Sequence, residues 1–345
     1  MGRTLVTGAT GRLGANVIAK LLERGEEVRA FVMPKDPLAK KLDALDVEIF
    51  EGDLTQADRL REAVKGVQTV MHFAAIMDEV PKGMSNETYF DINTRGSFVL
   101  MDAAHDEGVG KFIYTSSTAT YDVLTATDNP ITEESALRPY SMYGVTKVAA
   151  EGALMSMAFF HGTPLIVIRP SYIMACDQAL TLGKAGSVIA GLRSAKEPWC
   201  GFHDPKVDPD ELEALANEVA EKAKADSDLS FIPYGPDGKP WHWHVTDVRD
   251  VIHMMMLAFD DSTIKRDIFT CAGPRPTSFE EAVKHKCEKT GAKYEEVKTP
   301  VSWQLIMDIS KAKRMLGYDP QYDAMRMIDD AIAYSEGKDI GVIPA

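Results

Sequence analysis

The sequence is short of the features that mark several protein classes. Its 345 residues include four cysteines, Cys176, Cys200, Cys271 and Cys287, scattered and with no CxxC pair. That usage speaks against a disulfide scaffold and for free thiols in a reducing, cytoplasmic setting. Positive charge is scarce: 38 Lys and Arg against 52 Asp and Glu give a formal net charge of −14. With no basic stripe to neutralise phosphates, a nucleic-acid partner is excluded, whereas a small anionic ligand held by local dipoles is not. No apolar run approaches the ~20 residues of a membrane-spanning helix, so no membrane partner is expected. The opening "MGRTLVTGATG" reaches glycine too early for a signal peptide. Internal repeats and low-complexity tracts are missing as well.

What is present is ordinary globular chemistry, 45% hydrophobic and 26% charged residues, in a chain long enough for a sizeable core. Short apolar runs alternate with helical patterns. "TLVTG", "EVRAFV", "VEIFEGD", "TVMHFAA", "KFIYTSS" and "PLIVIRP" read as strands. "GANVIAKLLERG", "ADRLREAVKG", "NTRGSFVLMDAAHDEG" and "YGVTKVAAEGALMSMAFFHG" read as helices. Such alternation predicts an α/β fold with a doubly wound parallel sheet. The rhythm fails after about residue 175, and residues 208–226 read as an acidic, solvated helix. The expected organisation is a dinucleotide-binding domain over 1–175 plus about 241–270. A smaller interleaved substrate-binding region takes about 176–240 and 271–345.

Two local patterns carry chemistry. In "TLVTGATGRLGANVIAKLL", Gly8, Gly11 and Gly14 fall where a strand turns into an amphipathic helix. Glycines there permit a tight turn and close backbone approach to a pyrophosphate, and the helix N-terminus presents N–H groups and a positive dipole end. In "PYSMYGVTK", Tyr143 and Lys147 stand four residues apart, on one helix face. An ammonium beside a phenol favours its ionised, basic form.

The GxxGxxG spacing, with "EGDLTQ", "HFAA", "NTRGSFVLMDAA", "YTSS", "YSMYGVTK", "IRPSYI", "HVTDV" and "AKRMLGYDP" in that order, resembles the extended short-chain dehydrogenase/reductase family in its NAD-dependent epimerase/dehydratase branch. The resemblance runs from residue 4 to residue 320. It implies a Rossmann fold and a catalytic set of Ser117 (Ser116 as the fallback), Tyr143 and Lys147. The phenolate exchanges a proton with a substrate hydroxyl or carbonyl; Lys147 lowers the phenol pKa and holds the nicotinamide ribose. For the cofactor it implies contacts from Gly8, Thr10, Gly11, Arg12, Leu13, Gly14, Asp53, Leu54, Phe73, Ala74, Ala75, Asn93 and Pro170, besides Tyr143 and Lys147. Asn93 supports the backbone near the site, with an ordinary helix N-cap as the competing assignment. A homodimer through the helices starting near Asn93 and Tyr143 is also implied.

The cofactor itself is NAD(P). The acid that NAD recognition wants at the end of the second strand is replaced by Val32 and Met33, with Asp36 a little late. Arg12 and Lys35 can receive a 2′-phosphate, so the signals lean to NADP while NAD stays open. Thr118 and Ala119 stand where 4,6-dehydratases carry an Asp–Glu pair, which argues against dehydration. Tyr172 and Pro240 replace an asparagine and an arginine that anchor nucleotide sugars. "RPSYI" looks more like hydroxysteroid dehydrogenases and dihydroflavonol reductases. The first expectation is therefore hydride transfer between nicotinamide and a secondary alcohol or ketone, a sugar derivative or cyclic alcohol. The alternatives are a sugar or nucleotide-sugar epimerase with tightly bound cofactor, and a non-catalytic nucleotide sensor, against which intact Ser117, Tyr143 and Lys147 count. No metal site is expected, because His242 and His244 are two ligands where catalytic zinc takes three. Trp241 and Trp243 can pack or floor a ring pocket, and Trp199 and His203 fall in an apparent insertion.

Overall fold

A computed structural model describes residues 2–77, 84–121, 129–196 and 207–344. Trp199 and His203 lie outside the described residues. Seven strands form one parallel sheet: β1 (Arg3–Thr7), β2 (Val28–Val32), β3 (Glu48–Glu51), β4 (Val67–His72), β5 (Lys111–Thr115), β6 (Leu165–Pro170) and β7 (Arg266–Cys271). Their spatial order is β7-β6-β5-β4-β1-β2-β3, so the winding reverses between β1 and β4, the crevice where doubly wound sheets take ligands. Every residue of β2 and β6 is buried, because helices cover both faces and leave no solvent side for polar alternation.

The helices bracketing this crevice are α1 (Arg12–Glu23), α2 (Ala57–Ala63), α3 (Gly96–Asp106) and α4 (Met142–His161). A short helix, Asn86–Phe90, leads through a π turn at Asp91–Arg95 into α3. α4 begins where Ser141 accepts the Gly144 N–H and stops at Gly162, whose φ of 76° is the left-handed cap that glycine adopts without strain. Gly144 is required there, since a Cβ would stand 2.4 Å from the Ala119 carbonyl oxygen. The start of α4 is thus pressed onto the turn that follows β5.

Beyond β6 the chain builds α5 (Ala185–Lys196), α6 (Pro209–Ala225), α7 (Val248–Asp260), α8 (Phe279–Thr290), α9 (Ser310–Leu316) and α10 (Ala324–Ser335), with Ser230–Tyr234 pairing in parallel with Tyr294–Lys298. The acidic segment is indeed helical, but α6 buries Leu212, Ala216 and Val219. Those residues recur at helical spacing and pack with α5, so one face is core and only the remainder is solvated.

Candidate active site

The glycine turn joins β1 to α1 through contacts that admit no side chain. Gly8 has φ +66°, and a Cβ on it would meet the Ala74 nitrogen at 2.7 Å and the Phe73 carbonyl carbon at 2.9 Å. A Cβ on Gly14 would sit 2.1 Å from the Gly8 oxygen. Phe73 and Ala74 are therefore brought against the turn, with the Ala74 N–H donating to Thr7 Oγ1 at 3.2 Å. α1 starts at Gly11 with no side-chain cap and no acid in its first turn, so its N-terminal dipole is left for a ligand. Leu13 is buried in the core beneath it.

On the far side of the turn, Thr10 Oγ1 donates to Asp36 Oδ2 at 2.6 Å. Asp36, late in sequence, is thus folded back to the turn. Arg12 Nη1 donates to the Ile173 carbonyl at 2.6 Å. Asp53 is engaged locally, its Oδ1 accepting from the N–H and hydroxyl of Thr55, and Leu54 packs against Gly96.

Asn93 is not a helix N-cap; Ser85 caps that helix. From the π turn, Asn93 holds the backbone of Ile76 in both directions, accepting its N–H and donating to its carbonyl at 2.8 Å, and donates to Thr146 Oγ1 at 3.0 Å. It fastens the loop carrying Ala74 and Ala75 to α4.

The residues expected to be catalytic lie by the C-terminal end of β5. Lys147 is 2% exposed; its Nζ donates to the Thr115 carbonyl at 2.8 Å and stands 5.6 Å from the centre of the Tyr143 ring. Burial pulls the Lys147 ammonium down to about 7, against an opposing pull from Glu151. Ser117 heads the turn pressed on Gly144 and accepts the Ala119 N–H at 3.1 Å. Around them, Thr115 Oγ1, Ser116 Oγ and Ser171 Oγ are buried without a hydrogen-bond partner. Buried polar atoms at the end of a parallel sheet, below a glycine cradle, are what a dinucleotide would satisfy. The residues present fit that group.

Sequence reasoning left two arrangements unread, naming Tyr172 and Trp243 separately but not their pairing. Tyr172, 52% exposed, stands 5.2 Å from Trp243, whose ring meets Trp303 and Phe279. The second is His72, held between Thr7 Oγ1 at 2.6 Å and Ser97 Oγ at 2.8 Å, which only its place in "HFAA" could have signalled. His244 bonds the Gly273 carbonyl and the Met307 N–H, and among the described residues no cluster of three or more metal-ligating side chains occurs.

A switch-point crevice with a glycine-lined strand–helix turn defines a dinucleotide-binding protein of the Rossmann class. Residues 4–194 match the profile of the NAD dependent epimerase/dehydratase family. The chain belongs to that family. Among similar proteins, a 3-beta-hydroxysteroid dehydrogenase of Mycolicibacterium neoaurum is 34% identical over 201 residues, 55% of this chain and 53% of that protein. The chain thus spans about half the length of such curated relatives. A UDP-glucose 4-epimerase of Streptomyces lividans is 24% identical over 344 residues, 96% of this chain and 95% of that one. Among solved structures, a short-chain dehydrogenase/reductase superfamily protein from Agrobacterium tumefaciens, with bound NAD, superposes with a TM-score of 0.78 at 24% identity, covering 97% of this chain and 100% of that one.

Proposed function

We propose that the protein is a nicotinamide-dependent oxidoreductase acting on a secondary alcohol or its ketone, with Tyr143 as the acid–base group, Lys147 as its electrostatic partner and Ser117 orienting the reacting oxygen. The observation that carries this reading is Lys147, buried against the Tyr143 ring with its ammonium fixed on Thr115. An enzyme that needed only to bind a nucleotide would not bury a cation beside a phenol, since burial costs the charged form. Bound nicotinamide supplies the hydride donor or acceptor. Gly8, Gly11 and Gly14 admit the pyrophosphate to the N-terminus of α1, Asn93 keeps Ala74 and Ala75 in place along the cofactor, and Pro170 bounds the nicotinamide end. The hydroxyl of Ser117 holds the substrate oxygen while Tyr143 takes or gives its proton.

The Asp36 carboxylate beside Thr10, with Arg12 turned to Ile173, supports ribose hydroxyls and hence NAD over the NADP suggested by Arg12 and Lys35. The exposed Tyr172 ring backed by Trp243 supports an apolar ring substrate over a diphosphate. Full-length similarity to a UDP-glucose 4-epimerase supports the second reading, an epimerase that returns hydride to the same carbon. Exposed Phe98, Val145, Phe159 and Phe160 on α3 and α4 support a homodimer through these helices. The three described cysteines are free, in keeping with a reducing cytoplasm, and no described helix is long and apolar enough to cross a membrane.

Mass spectrometry of cofactor released from the purified protein, beside an absorbance assay of NAD with cyclic alcohols, tests this. Net absorbance change lost in Tyr143→Phe is expected. Retained NAD with no net change, and UDP-sugar interconversion, selects the epimerase. Undiminished turnover in Tyr143→Phe overturns the catalytic assignment.

A further inference from the structure

A second phenol lies beneath Lys147. Tyr114, on β5, is fully buried, and Lys147 Nζ stands 4.7 Å from its ring centre, nearer than to the ring of Tyr143. The Tyr114 ring packs in turn on His72 at 5.5 Å. His72 cannot swing away, being bonded to Thr7 and Ser97, and Ser97 Oγ donates onward to the Asn93 carbonyl at 2.6 Å. Burial, with the Lys147 charge adding to it, holds His72 neutral by taking its pKa down to about 3.

Several described groups act on the Lys147 ammonium. From its own helix come Tyr143 and Glu151; β5 contributes Tyr114 and the Thr115 carbonyl, and β4 contributes His72. Glu151 is already committed, one oxygen to each of two Arg169 nitrogens. Beside the pull of Glu151, the Thr115 carbonyl and the negative face of the Tyr114 ring are the near electrostatic support of the cation.

We propose that Tyr114 is a positioning residue: its ring face, fixed from behind by His72, holds the Lys147 ammonium beside Tyr143 and so sets the pH at which Tyr143 ionises. This rests on the Tyr143–Lys147 reading above. An aliphatic side chain would keep the position apolar but present no ring quadrupole, whereas phenylalanine keeps the ring, so comparing the two separates loss of the ring face from loss of the hydroxyl.

The test needs no substrate. Tyrosinate absorbance is titrated in each protein with and without Tyr143→Phe, and the difference isolates the ionisation of Tyr143. Tyr114→Phe keeps the ring face and should leave that midpoint in place. Tyr114→Leu should raise it by about half a pH unit, because weaker support of the ammonium withdraws the charge that favours the phenolate. In a Lys147→Met background, Tyr114→Leu should add nothing further. An unmoved midpoint in Tyr114→Leu, or an equal shift in Tyr114→Phe, overturns the proposal. Thermal melts verify folding, and Tyr114→Met takes the place of Tyr114→Leu if that variant does not fold. Because Tyr143 is read by its absorbance rather than by turnover, failure here is distinct from failure of the oxidoreductase assignment.

Discussion

Two histidines with no room for charge shape the acid behaviour of the protein. His72 is held down to about 3 and His244 to about 4, each mainly by burial. In the unfolded chain both titrate near 6.5, so between about pH 6.5 and 4 the unfolded state binds more protons and stability falls as pH falls. Each contributes up to about 1.4 kcal/mol per pH unit in that window. Denaturant titrations across it should show a slope that His244→Gln, which can keep the bonds to Gly273 and Met307, reduces by about one proton. A slope unchanged by that variant would place the titrating group elsewhere. Arg169 and Glu151, each at most 4% exposed, form the other residue-scale commitment. Glu151→Ala leaves a buried guanidinium uncompensated and should cost about 3–5 kcal/mol in chemical denaturation, more than any exposed pair such as Lys20–Glu23.

Elements meet in the site through missing side chains. The β1–α1 turn closes because Gly14 lies on the Gly8 carbonyl, and α4 seats against the turn after β5 because Gly144 lies on the Ala119 carbonyl. Gly14→Ala should therefore weaken NAD binding at least tenfold by calorimetry and lower stability by about 1–3 kcal/mol, the usual range for overpacking against rigid backbone. Gly144→Ala acts at the other end: it levers Tyr143 away from Ser117, so turnover should fall at least tenfold, and by a larger factor than NAD affinity measured on the same preparation. Equal losses of both in Gly144→Ala would mean that the two ends of the crevice are not independent. The glycine turn was legible in sequence because strand, turn and helix are contiguous there. The Gly144 contact was not, since its partner, Ala119, is 25 positions earlier in the numbering.

At the scale of the whole molecule, the apolar residues left outside α3 and α4 bear on assembly. If these helices form the dimer face, replacing Phe98 and Phe160 together by lysine should convert a dimer to a monomer in sedimentation velocity, with the melting temperature of the monomer reduced. An unchanged sedimentation coefficient would remove that face from consideration. The sheet itself was read from sequence because its strands are short buried runs, each followed by a helical pattern. β7 was harder, since Arg266–Cys271 lies about 95 residues after β6 and shows its place only by pairing with it. The acidic segment 209–225 displays its charge in any composition count, but the Leu212, Ala216 and Val219 stripe gains meaning only against α5.

By itself the sequence determined the class: periodicity and a glycine turn are local, and local physics is written in contiguous residues. The Tyr143–Lys147 spacing and the family to which the chain belongs were legible for the same reason. Only the tertiary structure decided that Asp36 returns to Thr10, that Asn93 joins the Ile76 loop to α4 rather than capping a helix, and that Lys147 rests over Tyr114. Those contacts join residues up to 33 positions apart in sequence and 53 in one case. Their energy comes from burial and from hydrogen bonds completed across elements, which no pattern along the chain records.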